Sequence, residues 1–332
     1  MFALRYRVAA KRERGARMRI LITGITGFVG GHLAERLLAE GGHELFGLCR
    51  SGKWPKDLAH LTGKATLFSG ELASSAAVDV ALQQARPEWV FHLAGYANTG
   101  KSFREPAVCW ADNLDATRTF YDAIVRSELR PRVLFVSSGL IYGDPDEPGK
   151  PCDERTTLKP ASPYAASKAA ADLLGYQYHR TAGLEVLRVR MFNQIGPRQS
   201  ADYAVPNFAR QIAEIEAGKR PPVIETGDLS GHRDISDVRD IVSAFRALIE
   251  KGTPGEAYNA GRGRTYPVQE LLDRLVRMSR VKVDVRSTDA GRKGDTAVAR
   301  ADTTKLRSAT GWEPRYELDQ TLADVLEWWR KQ

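Results

Sequence analysis

Short apolar runs alternate along the chain with longer segments of helical periodicity. Residues 18–23 (MRILIT), 89–93 (WVFHL) and 133–136 (VLFV) are continuous apolar runs, which is typical of strands buried in a parallel sheet. Shorter strands are predicted at 44–48 and 66–68, and helical patterns occupy much of the intervening sequence. This alternation predicts an α/β fold with a doubly wound parallel sheet.

A glycine-rich turn lies between the first strand and the first helix. Its glycines allow a tight turn and a close approach of the backbone to a pyrophosphate, whose charge a helix N-terminus favours. Strand, glycine turn and helix in this order predict the start of a dinucleotide-binding βαβ unit. We expect Gly24, Gly27, Phe28, Val29 and Gly30 to contact the cofactor.

The end of the second strand indicates which dinucleotide is bound. NAD-binding domains usually carry an Asp or Glu there, which accepts hydrogen bonds from the ribose hydroxyls. In this chain Cys49 occupies about that position, and Arg50 and Lys53 follow it. These cations can neutralise a 2′-phosphate, which favours NADP(H). NAD(H) stays open as the alternative if both are solvated loop cations.

The ends of the third and fourth strands complete the predicted cofactor site. Small residues after the strand at 89–93 let a cofactor pass close to the backbone. Asn113 either hydrogen-bonds inside the site or caps the helix predicted at 114–127. The residues predicted to complete this site are Glu71, Leu72, Leu93, Ala94, Gly95 and Asn113.

A serine and a Tyr-x-x-x-Lys pair supply the candidate catalytic groups. Ser138 follows the buried strand at 133–136, at the sheet edge where open α/β folds bind ligands. Tyr164 and Lys168 are four residues apart, so a helix presents both side chains on one face to one bound molecule. A tyrosine phenol can deliver a proton to a developing alkoxide, and a neighbouring ammonium lowers the pKa of that phenol.

These motifs together resemble the extended short-chain dehydrogenases/reductases that act on nucleotide sugars. The similarity runs from about Met18 to the C-terminus. By this resemblance the serine, tyrosine and lysine form a catalytic triad, whose tyrosine and lysine also contact the cofactor. The resemblance further implies a homodimer, formed through the long helices near 112–127 and 164–181.

The second half of the chain narrows the resemblance. The stretches 188–199 (RVRMFNQIGPRQ) and 233–240 (RDISDVRD) are similar to GDP-4-dehydro-6-deoxy-D-mannose reductases and, more loosely, to GDP-mannose 4,6-dehydratases. A GDP-linked deoxysugar is therefore the implied substrate. Guanidinium groups and neutral amides suit its diphosphate, although the arginines can equally be surface cations. The residues implied for substrate binding are Ser138, Asn193, Arg210, Arg233 and Arg292.

The residues after Ser138 indicate the reaction type. Dehydratases of this kind carry a Glu two positions beyond the catalytic Ser or Thr. This chain has Leu140 there, and an aliphatic side chain cannot transfer a proton. Related epimerase-reductases that act on nucleotide sugars carry a Cys directly after the serine pair, where this chain has Gly139. We therefore expect NADPH-dependent reduction of the 4-keto group of GDP-4-dehydro-6-deoxy-D-mannose to GDP-D-rhamnose.

Several alternatives stay open. A nucleotide-sugar 4-epimerase would hold NAD tightly and would oxidise and re-reduce the same carbon. A reductase can also give the C4 epimer, GDP-6-deoxy-talose, because the sequence does not reveal which face of the sugar meets the hydride. A 4,6-dehydratase and a non-catalytic NADP sensor are further alternatives, but a sensor need not retain all three residues of the triad.

We divide the chain into three parts on this basis. Residues 1–17 form a basic extension, which we expect to be disordered or to reflect a misassigned start codon. Residues 18–189 together with 234–262 are expected to form the NADP-binding Rossmann-type sheet domain. Residues 190–233 together with 263–332 are expected to form a smaller α/β domain that binds the nucleotide sugar.

Charge, cysteines and hydropathy limit the partners and the compartment. Residues 1–18 carry six basic side chains and one acidic, a net +5 of the formal +8. The remainder is nearly balanced, so we expect no nucleic-acid binding. Three cysteines without metal-ligand spacing indicate a reducing compartment, the cytoplasm, and no metal site. No apolar run approaches the ~20 residues of a membrane span, so we expect no membrane association.

Overall fold

The computed structural model describes residues 18–147, 149–287 and 299–332. The strands are β1 (Arg19–Thr23), β2 (Glu44–Cys49), β3 (Thr66–Ser69), β4 (Trp89–His92), β5 (Arg132–Ser138), β6 (Glu185–Met191), β7 (Asn193–Ile195), β8 (Val223–Thr226), β9 (His232–Asp237), β10 (Ala257–Ala260), β11 (Thr265–Pro267) and β12 (Asp284–Ser287). The helices are α1 (Phe28–Glu40), α2 (Ser75–Ala85), α3 (Thr99–Ser102), α4 (Pro106–Trp110), α5 (Ala116–Arg126), α6 (Pro163–Ala182), α7 (Ala204–Glu216), α8 (Val238–Lys251), α9 (Val268–Arg277), α10 (Thr304–Thr310) and α11 (Leu318–Arg330). Short 3₁₀ turns lie at Lys56–Leu61 and Gly139–Tyr142, and a π-helical turn lies at Ala111–Asp115.

Seven parallel strands form the central sheet, in the order β10-β6-β5-β4-β1-β2-β3. Most of their apolar residues are buried, because helices cover both faces of the sheet. The strand order reverses between β1 and β4, so a crevice opens beyond the ends of these two strands, near Thr23 and His92. The predicted doubly wound parallel sheet is confirmed.

Two apolar cores hold the helices on the sheet. On one face α1 and α8 bury Leu33 and Phe245 against the strands. On the other face α2 and α5 bury Val78 and Phe120, and α6 packs beside them. Burial of apolar surface stabilises by about 25 cal/mol per Å², so these cores fix the strand ends that border the crevice.

A smaller layer is built from the second half of the chain. The sheets β11-β9-β7 and β12-β8 and the helices α7, α9 and α11 share a core that contains Phe208, Leu272 and Leu322. The strand β10, within the segment 234–262 that was assigned to the sheet domain, joins the large sheet beside β6. Leu306 of α10 also packs into a core of the large sheet. The exact domain boundaries stay a prediction.

A buried ion cluster fixes α6 against the sheet. Asp172 of α6 is fully buried and accepts hydrogen bonds from Arg188 at 2.7 Å and from Arg190 at 3.2 Å, both on β6. Arg190 also donates to the Tyr142 hydroxyl at 3.0 Å, and that hydroxyl donates to Asn259. Removing one partner of a buried ion pair costs about 3–5 kcal/mol. The cluster therefore holds α6 in one position.

Candidate active site

A cavity of about 710 Å³ extends from the glycine turn into the smaller layer. It lies at the carboxyl ends of the strands, where doubly wound sheets bind ligands. Nearly all the predicted cofactor residues line it: Gly24, Gly27, Phe28, Val29, Gly30, Arg50, Glu71, Leu72, Leu93, Ala94, Gly95, Tyr164 and Lys168. Asn113 does not.

The glycine turn is closely packed at the start of α1. Gly24 has a φ of +73°, and a Cβ there would lie 3.0 Å from the backbone nitrogen of Ala94. A Cβ on Gly30 would lie 2.2 Å from the Gly24 carbonyl oxygen. Gly27 caps α1 without a side chain, so the amides of the first turn can bind an anion. The chain therefore fits a dinucleotide pyrophosphate here.

The three candidate catalytic residues, Ser138, Tyr164 and Lys168, line the cavity. Ser162 caps α6 by accepting a hydrogen bond from Ala165, which starts the helix just before Tyr164. Ser138 lines the cavity beside the Tyr164 phenol, close enough to lower the pKa of that phenol. Lys168 lies one turn further along α6 and donates to the Val136 carbonyl at 2.7 Å. The structure thus brings together the three side chains that the sequence identified.

Burial shifts the pKa values of both helix residues. It raises the pKa of Tyr164 to about 12, and the nearby Ser138 side chain opposes this shift. Burial also lowers the pKa of Lys168 to about 8. The sequence predicts that the Lys168 ammonium lowers the pKa of Tyr164. In the structure this ammonium is bonded to the Val136 carbonyl, and Ser138 is the group that lowers the phenol pKa.

The opposite end of the cavity carries charges of both signs. Arg50 lines the cavity beside the buried Cys49, whereas Lys53 is not among the lining residues. Asp112 and Glu71 also line this end. Burial raises the pKa of Asp112, and the Arg50 charge lowers it. Arg50 therefore offers a cation for a phosphate, while two carboxylates lie close enough to oppose it.

Asn113 supports the cavity from behind. It lies in a π-helical turn inside a helical run from Pro106 to Arg126, so it does not cap a helix. Its amide nitrogen donates to the Ser167 hydroxyl at 2.9 Å. Its amide oxygen faces Gly95, 2.5 Å from where a Cβ would lie. The hydrogen-bonding alternative for Asn113 thus fits the structure, although its partner is Ser167.

The predicted substrate residues divide into three groups. The first group lines the cavity and consists of Ser138, Asn193 and Arg233. Arg210 is not among the lining residues, because its guanidinium pairs along α7 with Glu214 at 2.8 Å and with Asn207 at 3.0 Å. The prediction for Arg210 therefore finds no support in the geometry. Arg292 lies outside the described residues.

A model of the GDP-mannose 4,6-dehydratase family matches residues 21–325. The chain belongs to this family. It is 31% identical to a GDP-6-deoxy-D-mannose reductase of Pseudomonas aeruginosa, over 94% of this chain and 97% of the relative. It is 30% identical to a UDP-glucose 4-epimerase of Mycolicibacterium smegmatis, over 94% of this chain and 99% of the relative. The solved structure of RMD from Pseudomonas aeruginosa complexed with NADPH is 30% identical, with a TM-score of 0.82, and the match covers 95% of this chain and 99% of that one.

Membership of the GDP-mannose 4,6-dehydratase family confirms the resemblance that the motifs indicated. The chain is an enzyme, an oxidoreductase of the short-chain dehydrogenase/reductase type that acts on nucleotide sugars. Its relatives include reductases, dehydratases and epimerases. Family membership therefore does not decide between these three reactions, and the residues around Ser138 are the next evidence to consider.

Two residues that line the cavity were not predicted from the sequence. The Phe192 ring lies where a side chain at Gly139 would be, with three ring carbons 2.8–2.9 Å from an ideal Cβ. Its position directly before Asn193 is a signal that could have identified it. Tyr203 also lines the cavity and donates to the Ala97 carbonyl at 3.1 Å. It lies in an irregular stretch with no recognisable pattern.

The described parts of the chain contain neither a metal-ligand cluster nor a membrane-spanning helix. No group of three or more His, Cys, Asp and Glu side chains there is arranged to hold a metal ion. No helix within 18–147, 149–287 or 299–332 is long and apolar enough to cross a membrane.

Proposed function

We propose that the enzyme reduces the 4-keto group of GDP-4-dehydro-6-deoxy-D-mannose with NADPH and forms GDP-D-rhamnose. The observation that carries this proposal is that Tyr164 and Ser138 line the same cavity beside the apolar Leu140. This arrangement offers a proton donor to a carbonyl oxygen and no acid or base for elimination of water at the next carbon. The similarity to a GDP-6-deoxy-D-mannose reductase supports the choice of substrate.

The chemistry follows from the positions of the triad. When bound, NADPH supplies the hydride that the sugar C4 receives. Tyr164 gives its proton to the C4 oxygen as negative charge develops there, and Ser138 orients that oxygen. Lys168 would hold the nicotinamide ribose. Because the pKa of Tyr164 is raised to about 12, the phenol is protonated and ready to donate at neutral pH.

The space beside Ser138 also disfavours the chemistry of the epimerase-reductases. Those enzymes carry a cysteine at the position of Gly139. Here the Phe192 ring occupies the space into which such a side chain would extend. Phe192 is 4% exposed and packs against Tyr142 at a centroid distance of 6.2 Å. Hydride transfer to a ketone, without proton exchange at neighbouring carbons, is the reaction that this geometry supports.

NADPH is the proposed cofactor because Arg50 lines the end of the cavity where the 2′-phosphate of the adenosine would lie. The first turn of α1 would bind the pyrophosphate. For the substrate, we propose that Asn193 and Arg233 hold the GDP diphosphate. Arg292 stays a candidate on sequence grounds alone.

A 4-epimerase that retains NAD is the second candidate. Glu71 and Asp112 favour it, since carboxylates at this end of the cavity can accept hydrogen bonds from ribose hydroxyls and repel a 2′-phosphate. The similarity to a UDP-glucose 4-epimerase is consistent with this reading. GDP-6-deoxy-talose is the alternative product of the reductase.

We also propose a homodimer formed through α5 and α6. Large apolar side chains are exposed on these helices: Val125 by 39%, Leu173 by 55% and Tyr176 by 46%. Exposed apolar surface of this kind is typical of an interface between proteins. The cytoplasm is the proposed compartment, because Cys49, Cys109 and Cys152 are free thiols.

The test of the proposed reaction is NADPH oxidation with freshly generated GDP-4-dehydro-6-deoxy-D-mannose, with NADH alongside and NMR identification of the product. We expect rapid oxidation with a preference for NADPH, and GDP-D-rhamnose as the product. If NAD instead copurifies and GDP- or UDP-hexoses interconvert without net oxidation, the enzyme is an epimerase.

A pair of tyrosine variants tests the mechanism. Tyr164→Phe should bind NADPH nearly normally and lose about 10² or more in turnover, the usual contribution of a general acid. Tyr121→Phe is the matched control, because the Tyr121 hydroxyl is buried, lies away from the cavity and has no hydrogen-bond partner among the described residues. Full turnover in Tyr164→Phe would exclude the proposed proton donor.

A further inference from the structure

A buried histidine links the cofactor cavity to the catalytic helix. His92 is the last residue of β4 and is 1% exposed. Its Nδ1 lies 2.7 Å from the Thr23 hydroxyl, and its Nε2 lies 3.1 Å from the Thr117 hydroxyl. The ring stacks on Phe120 at a centroid distance of 4.8 Å. Burial and the nearby Lys168 charge lower the pKa of His92 to about 3, so the imidazole is neutral.

The direction of each hydrogen bond around this neutral ring follows from its neighbours. The Thr117 hydroxyl donates to the Asn113 carbonyl at 2.7 Å, so it can only accept from His92. Nε2 therefore carries the proton, and Nδ1 has the lone pair. The Thr23 hydroxyl must then donate to Nδ1, and its oxygen accepts from the Ala94 amide at 3.2 Å. Thr23, His92 and Thr117 thus form one series of hydrogen bonds, in which each hydroxyl proton has one acceptor.

We propose that His92, as its Nε2–H tautomer, is a positioning residue that fixes Ala94 and Asn113 around the nicotinamide end of the cofactor site. This role rests on the proposed function, that is, on a nicotinamide cofactor in the cavity. At one end of the series, Ala94 lines the cavity.

The other end of the series reaches the catalytic helix. Asn113 packs its amide oxygen against Gly95 and donates to the Ser167 hydroxyl, which donates to the Tyr164 carbonyl at 2.9 Å. The series therefore runs from the end of β1, through β4 and the π-helical turn, to α6. His92 touches neither the substrate nor the cofactor in this proposal and acts through Ala94 and Asn113.

The tautomer is tested directly by ¹⁵N NMR of the cofactor-free chain with labelled histidine. His92→Phe, which keeps an aromatic ring, identifies the His92 signals. The unaltered chain should show a protonated Nε2. Thr117→Val should transfer the proton to Nδ1, because Thr23 is then the remaining partner, whereas Thr23→Val should leave it on Nε2. A protonated Nδ1 in the unaltered chain, or the same response to both changes, would overturn the assignment.

Cofactor affinity tests the positioning role separately. Thr117→Val should weaken NADPH binding about tenfold, because a buried hydrogen-bond network that defines the site loses a member. Thr310→Val is the matched control, since Thr310 is also buried and donates to the carbonyl four residues earlier, Leu306, at 2.7 Å, far from the cavity. Equal NADPH affinity in both variants would overturn the positioning role.

Failure of the proposed function has a different signature. If the unaltered chain binds no NADPH, the proposed function and the positioning role both fail, whereas the tautomer is still decided by NMR.

Discussion

A methyl group at position 139 is expected to push the Phe192 ring into the active site. The backbone of Gly139 does not have a positive φ, so alanine fits it without strain. The ideal Cβ, however, lies 2.8–2.9 Å from three ring carbons of Phe192. Carbon atoms in ordinary contact are about 3.5–4.0 Å apart, so the ring must move by at least about 0.6 Å.

The direction of this movement follows from what surrounds the ring. Tyr142 stacks on Phe192, is fully buried, and is held by hydrogen bonds to Arg190 and Asn259. The cavity is the open side of Phe192. Overpacking of this kind costs about 1–3 kcal/mol. The unfolding entropy of a chain of 332 residues is about 0.7 kcal/mol/K, so Gly139→Ala should lower Tm by about 1–4 °C.

Thermal unfolding and steady-state kinetics together decide this prediction. Gly139→Ala should raise the KM for the sugar nucleotide more than it lowers kcat, because the displaced ring occupies substrate space. In Gly139→Ala/Phe192→Leu the two stability losses should be less than additive by about 1 kcal/mol, since leucine has no ring to displace. Additive losses, or a Gly139→Ala variant with unchanged Tm and KM, would refute the assigned role of Phe192.

Three further predictions concern the cofactor and the dimer. Because burial lowers the pKa of Lys168 to about 8, NADPH affinity should weaken as the pH rises through about 8 and the ammonium is lost; in fluorescence titrations Lys168→Met should bind weakly without this dependence. Arg50→Ala should reduce the preference for NADPH over NADH, as a ratio of kcat/KM, by about tenfold, and Asp112→Asn should increase it; unchanged ratios would contradict a 2′-phosphate site at Arg50. Leu173→Glu should convert dimer to monomer in sedimentation experiments. Val281→Glu is the control and should leave the dimer intact, because Val281 is likewise exposed, by 42%, but lies outside α5 and α6.

The parts of the fold that were predictable depend on local pattern. The strands β1, β4 and β5 are apolar because both of their faces are buried. A few consecutive residues are therefore enough to predict where each of them lies. The glycine turn and the four-residue spacing of Tyr164 and Lys168 are equally local. These motifs were therefore sufficient to predict the sheet and to identify three side chains that line one cavity.

The features that the sequence did not reveal depend on contacts between distant segments. The sequence left open whether Asn113 caps a helix, but it lies within the π-helical turn that follows α4, and its amide donates to Ser167, 54 residues away. The sequence makes Arg210 a candidate phosphate ligand, but in the structure its guanidinium pairs with Glu214 and Asn207 on α7. An arginine in a basic chain has many partners available, and only the folded structure shows which of them lie within reach.

The residue that anchors α6 lies on the same helix face as Tyr164 and Lys168. Tyr164, Lys168 and Asp172 are spaced by four residues, so they lie in one row along the helix. Asp172 ties this row to Arg188 and Arg190 of β6, and its charge also raises the pKa of Lys168 against the effect of burial. Asp172 therefore anchors α6 to the sheet and also opposes the effect of burial on the pKa of Lys168. A register shift of α6 by a single residue would rotate all three side chains away together.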